Sequence, residues 1–175
     1  TAPLGGAYAA AATVMHGLEW DSSTNPLYGV SSHNNGLYTI NTANGPATLI
    51  GTSGLTSFTN LGYNSATNSM YATNSGSDSF YSMNVANGAT TLIGALGGGV
   101  SNPNGLAYNS DNGLMYMVDN TTDTLYTINM TTGASSAVGA MGAGNLLGLV
   151  YIPIPAPSAL AVIGLGLIGS RRRRN

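Results

Sequence analysis

Four short runs decide how this chain folds: Gly105-Leu-Ala-Tyr-Asn-Ser110, Leu114-Met-Tyr-Met-Val-Asp119, Thr124-Leu-Tyr-Thr-Ile-Asn129 and Ser135-Ser-Ala-Val-Gly139. Each is rich in aromatic or branched residues, which suit a pleated chain. Each is bounded by Asn, Asp, Gly, Ser or Thr, which suit turns. In the third run Leu125, Thr127 and Asn129 share one face of a strand, and Tyr126 and Ile128 share the other. The pair Asn112-Gly113 between the first two runs is a strong turn signal, because both residues tolerate positive φ. Asn35-Gly36, Asn44-Gly45 and Asn87-Gly88 are further signals of the same kind.

The four runs form one unit of a repeat. Tyr28, Tyr71 and Tyr116 are in step at intervals of 43 and 45 residues, and so are Tyr38, Tyr81 and Tyr126. Asn41, Asn84 and Asn129 keep the same intervals, as do Gly45, Gly88 and Gly133, and Gly51, Gly94 and Gly139. Leu18, Leu61 and Leu106 stand ten residues before the first tyrosine of each unit, and Trp20, Tyr63 and Tyr108 stand eight before it. A period of about 44 residues with four short strands is the signature of a β-propeller blade, whose repeats run ~40–50 residues. One four-stranded sheet cannot bury its own faces, so such units must stack. Aromatics at fixed positions fill the layers between them, so the repeated tyrosines are read as packing rather than as a ligand-binding row. A β-solenoid is the rival architecture, but its rungs run ~20–30 residues and lack four hairpin signals per period. The expected fold is therefore all-β, a propeller-like array of about three four-stranded blades. The units are placed at about 17–59, 60–104 and 105–147, with a partial strand at 148–151 where Gly148-Leu-Val-Tyr151 repeats Gly105-Leu-Ala-Tyr108.

In period and aromatic placement, residues 17–151 resemble the YVTN/NHL/Kelch-like group of bacterial surface propellers, without the WD dipeptide or the kelch double glycine. Residues 1–16 read as the end of a preceding blade or a linker, since Leu4-Gly-Gly-Ala-Tyr resembles Leu96-Gly-Gly-Gly-Val. Propellers have four to eight blades. Three blades and two fragments, with no initiator Met and no basic leader, lead us to expect an N-terminally truncated chain. The rival is a signal-cleavage junction at Ala9-Ala-Ala-Ala12.

The last residues are of a different kind. Ile152-Pro-Ile-Pro-Ala-Pro-Ser158 leads into an apolar run ending at Gly169, then Ser170 and Arg171 to Arg174. These four arginines are all the basic residues of the chain, so the net charge of −2 divides into six acidic residues before the tail and four basic ones within it. Arginines flanking an apolar segment stay on the cytoplasmic side, because carrying them across a bilayer is costly. The order resembles the PEP-CTERM sorting signal that exosortases process in exopolysaccharide-producing Gram-negative bacteria. Pro155, Ala156 and Pro157 take the place of the Pro-Glu-Pro motif, with Ala156 where that motif has Glu. Residues 158–169 take the place of its apolar helix, and Arg171, Arg172, Arg173 and Arg174 that of its basic end. The resemblance implies an exported protein, tethered to the inner membrane through this helix, processed by an exosortase-like partner, and then held at the outer envelope or in an exopolysaccharide matrix. A plain single-pass anchor or a buried helix are the alternatives. The run is shorter than the ~20 residues a span needs, and a buried helix would not end in four arginines.

Composition narrows the chemistry. Charged residues are 6% of the chain, and cysteine is absent, so there is neither disulfide nor thiolate chemistry. A body without Lys or Arg cannot neutralise phosphates, which argues against nucleic acid and nucleotide cofactors. No cofactor and no metal site is expected. His16-Gly-Leu-Glu19 is a bare His-x-x-Glu without the second histidine of a zinc helix. His33 lies in a Ser/Asn turn with no nucleophile elbow near it. Asp111, Asp119 and Asp123 cluster in one unit but lack the ligand order of a calcium loop, and read as turn residues. Trp20 reads as an inter-blade packer before a sugar-stacking platform. The expected function is non-enzymatic. The alternative is a propeller lyase or hydrolase acting on glycans or lactones, with its catalytic residues mostly in missing N-terminal blades, because two His and one Glu are a meagre supply for acid–base work.

Overall fold

The computed structural model describes residues 14–142 and 144–153. The sorting-signal residues Pro155, Ala156, Pro157 and Arg171 to Arg174, and the apolar helix expected before those arginines, lie outside the described residues, as do residues 1–13.

Twelve strands form three antiparallel four-stranded meanders, and no helix occurs among the described residues. The first sheet holds β1 (Met15–Trp20), β2 (Leu27–Ser31), β3 (Gly36–Ile40) and β4 (Ala47–Thr52). The second holds β5 (Phe58–Asn64), β6 (Ser69–Asn74), β7 (Ser79–Met83) and β8 (Thr90–Ala95). The third holds β9 (Pro103–Asn109), β10 (Leu114–Asp119), β11 (Thr124–Ile128) and β12 (Ser135–Ala140). Within each sheet the strands pair in chain order, and the sheets meet along their first strands, β1 beside β5 and β5 beside β9.

The turns follow from the sequence. Asn41, Asn84 and Asn129 each accept a hydrogen bond at the side-chain oxygen from the amide two residues on, at 2.9 Å, which closes the same Asx turn three times. Asn35, Asp78 and Asp123 occupy the left-handed region in equivalent turns, with φ of 58°, 45° and 47°. Short polar side chains are the non-glycine residues that tolerate this conformation.

The core lies between sheets. Phe58, Leu61, Tyr63, Met70, Tyr81 and Met83 of the second sheet pack against Tyr28, Val30 and Leu37 of the first. Leu106, Met115, Met117, Tyr126 and Ile128 of the third pack against Phe80 of the second, joined by Leu96 and Val100 from the β8–β9 connection. The repeated tyrosines fall largely in these layers. Tyr81 meets Phe58 edge-on at 5.2 Å, and Tyr71 stacks on Phe80 at 5.1 Å.

The repeated glycines mark where backbones meet. Each outer strand carries a bulge that leaves Ile50, Ile93 or Val138 without a pairing partner, a device that re-aims a side chain. Ile50 and Ile93 pack against the two clusters. The next residue is Gly51 or Gly94, where a β-carbon would come 2.0 Å from the carbonyl oxygen of Asn87 or Thr132 in the following sheet. Only glycine lets a sheet edge and a turn approach this closely. At Gly139, the equivalent in the third sheet, a β-carbon would meet nothing within 4 Å.

Residues 148–151 differ from the partial strand expected of them, because they form no ladder. They nonetheless lie beside β9. A β-carbon at Gly105 would stand 2.7 Å from the Leu149 nitrogen, as one at Gly17 would stand 2.8 Å from the Leu61 nitrogen. The preceding segment is fastened by the Leu146 amide, which donates to the Asn120 side chain at 3.0 Å.

Candidate functional site

The three first strands and residues 149–153 line one cleft of about 560 Å³. Repeat register puts equivalent residues around it. Trp20, Tyr63, Tyr108 and Tyr151 come from the same position of successive units, and Ser22, Ser65 and Ser110 from a second such position. Trp20 is 44% exposed, whereas Tyr63 is buried and donates its hydroxyl to the Asn68 side chain at 2.9 Å. The packing role expected from register therefore holds for Tyr63. It fails for Trp20, because no sheet among the described residues covers that side of the first one.

Glu19 is the ionisable residue at a third equivalent position, where the other units carry Gly62, Ala107 and Val150. Its carboxyl is partly buried in the cleft. Burial pushes its pKa up to about 7, opposed by a hydrogen bond from the Tyr63 backbone. Desolvation disfavours the charged form, and no basic side chain lines the cleft to offset it. Burial also raises the Tyr63 phenol, with Asp21 adding to the effect.

One buried side-chain amide, that of Asn60, fixes the first-strand layer. The Asn60 side chain donates to Thr73 and to the Pro103 carbonyl, both at 2.9 Å, and accepts from the Gly105 amide at 2.7 Å. Buried polar groups need such partners, and here they tie β5 to β9.

The other sequence candidates are not brought together. His16 is the unpaired residue of a bulge in β1 and is exposed, so it does not join Glu19. His33 is exposed in the β2–β3 turn, its amide donating to the Ser31 hydroxyl at 3.3 Å. Asp111 lies before β10, while Asp119 and Asp123 lie at its far end. Asp119 is buried and accepts from the amides of Ser101, Asn102 and Thr122 at 2.7–3.1 Å. Burial pushes its carboxyl up, but these hydrogen bonds outweigh that and hold it below its ordinary value. In the same way Thr24 and Ser23 outweigh burial at Asp21 and hold its carboxyl well below the usual range. Both aspartates act as turn anchors. Among the described residues no three His, Cys, Asp or Glu side chains gather as a metal site would require.

The sequence signal for Glu19 was present but indirect. A motif search pairs it with His16, three residues away, whereas aligning the repeats exposes it as a charge at an otherwise small or apolar position.

No family model matches the chain, and no curated protein matches it. Solved structures do. A structure of a nidogen/laminin complex superposes with a TM-score of 0.64 at 19% identity, covering 78% of this chain and 52% of that one. A protein of unknown function from Bacteroides thetaiotaomicron gives 0.61 at 19% identity, covering 78% and 42%. An inactive variant of virginiamycin B lyase from Staphylococcus aureus, bound to quinupristin, gives 0.55 at 14% identity, covering 75% and 42%. At these identities the likeness is one of fold, and it supports a propeller body. The chain spans about half the length, or less, of these structures.

Proposed function

We propose that this is an exported, non-enzymatic propeller protein sorted by its C-terminal tail. The three-part order of that tail carries the reading: Pro155-Ala156-Pro157, the apolar run at 158–169, then Arg171 to Arg174. An exosortase-like enzyme recognises it while the apolar run holds the protein in the inner membrane. The product then resides at the outer envelope or in an exopolysaccharide matrix. A surface with little charge and no basic side chain before the tail suits that setting. Two His and one Glu before the tail, with no Arg, are a poor supply for acid–base chemistry, which favours the non-enzymatic half.

The test is expression of the full chain in an exosortase-bearing Gram-negative host, followed by fractionation and mass spectrometry of the C-terminus. Processing upstream of Arg171 is expected. Replacing all four arginines with asparagine should abolish it and leave the protein unsorted. An unprocessed wild-type tail would overturn the sorting half, and turnover of a polysaccharide or lactone by the purified chain would overturn the non-enzymatic half.

A further inference from the structure

We propose that the cleft between the first strands binds an organic ammonium group, with Glu19 as its counter-charge and Trp20, Tyr108 and Tyr151 as aromatic walls. This goes beyond the reading of the tail and does not depend on it. Four aromatics from one repeat position line the cleft, with Glu19 the carboxyl among the lining residues, and Asp21 and Asp111 interact with the hydroxyls of Tyr63 and Tyr151. The negative faces of aromatic rings attract cations, more strongly once water is excluded. A partly buried carboxyl is disfavoured as an anion unless a positive group joins it.

Among the described residues no such group lines the cleft. The chain has no lysine, its arginines are confined to positions 171–174, and neither His16 nor His33 lines the cleft. A ligand that carries a positive charge would stabilise the ionised form of Glu19. A neutral saccharide would not draw on the charged form of Glu19, so its binding would not depend on that charge. An anion would be repelled by Glu19 once it is ionised. Leu18, Leu27 and Leu149 among the lining residues favour an ammonium carried on an apolar body.

Trp20, the chain's single tryptophan, is the reporter. The full chain, in a non-ionic polyoxyethylene detergent, is titrated with benzyltrimethylammonium chloride, with sodium chloride at equal ionic strength as the reference. A saturable change in Trp20 emission is expected for the organic cation alone. Glu19→Gln, which keeps the side chain's shape, should weaken binding by about tenfold or more, and Tyr151→Ala by about threefold. Residue 151 stands outside the sheets, so Tyr151→Ala decides the question if Glu19→Gln fails to fold. Absence of a saturable signal up to about 100 mM would overturn the proposal, as would wild-type binding by the folded variants. Binding of N-acetylglucosamine oligomers that ignores Glu19→Gln would overturn it in favour of a neutral saccharide.

Discussion

The joint between the second and third sheets and the far side of the third sheet are built from the same repeat positions, yet they differ in burial. Ile93 packs into the joint, whereas Val138, its equivalent, is 56% exposed. The near side of the first sheet shows the same contrast, with Leu18 at 54% exposure against 2% for Leu61 and Leu106. The residues are alike and their local strands are alike. A repeat position is therefore apolar because a neighbouring sheet can cover it, and it stabilises the fold only where one does.

The largest expected break in this symmetry is a leucine truncation. Leu61→Ala should destabilise the chain by about 3–4 kcal/mol and Leu18→Ala by less than about 1, measured by urea unfolding. Equal costs would show that the first strand is covered in solution. Glycine replacement comes next. Gly94→Ala drives a β-carbon against the Thr132 carbonyl and should cost about 2–3 kcal/mol, while Gly139→Ala should stay within about 0.5. A matching loss at Gly139 would mean that another element packs there.

Acid titration separates the cleft from the turns. Glu19 holds its proton more tightly folded than unfolded, so its contribution is full below its ordinary value of 4.5, falls as pH rises, and is gone above about 7. The loss across that window should be on the order of 2 kcal/mol after allowance for solvent screening, and should vanish in Glu19→Gln. Asp21 and Asp119, held low, act in the opposite sense: their contribution is present above about 4 and is lost as pH falls further. A stability profile flat from pH 4.5 to 7 in the wild type would show that Glu19 is solvated.

The smallest expected effect sharpens the contrast by its uniformity. Asn41→Ala, Asn84→Ala and Asn129→Ala each remove one Asx turn, and each should cost about 0.5–1 kcal/mol whichever sheet it sits in. Unequal costs would mean that these turns also depend on neighbouring sheets.

Strands and turns were legible because each rests on residues within one hairpin, and the period because the same residues recur every 43–45 positions. The alternation of Tyr126 and Ile128 against Leu125 and Thr127 predicts a strand, and Tyr126 and Ile128 are indeed the buried pair. The cleft was less legible. Trp20 shares its register with Tyr63 and Tyr108, yet register alone does not tell a covered face from an open one. Glu19 looked like half of a metal motif because a strand written as letters hides the bulge that takes His16 out of the ladder.

By itself, then, the sequence determined the all-β repeat and the positions of its strands and turns. Those features follow from backbone preferences and from contacts within about 20 residues. Only the tertiary structure decided which equivalent leucines are buried, that four aromatics from one repeat position share a cleft, and that burial raises the carboxyl among them. Burial and desolvation depend on what the chain returns from more than 40 residues away, and two positions with the same neighbours in sequence can have different neighbours in space.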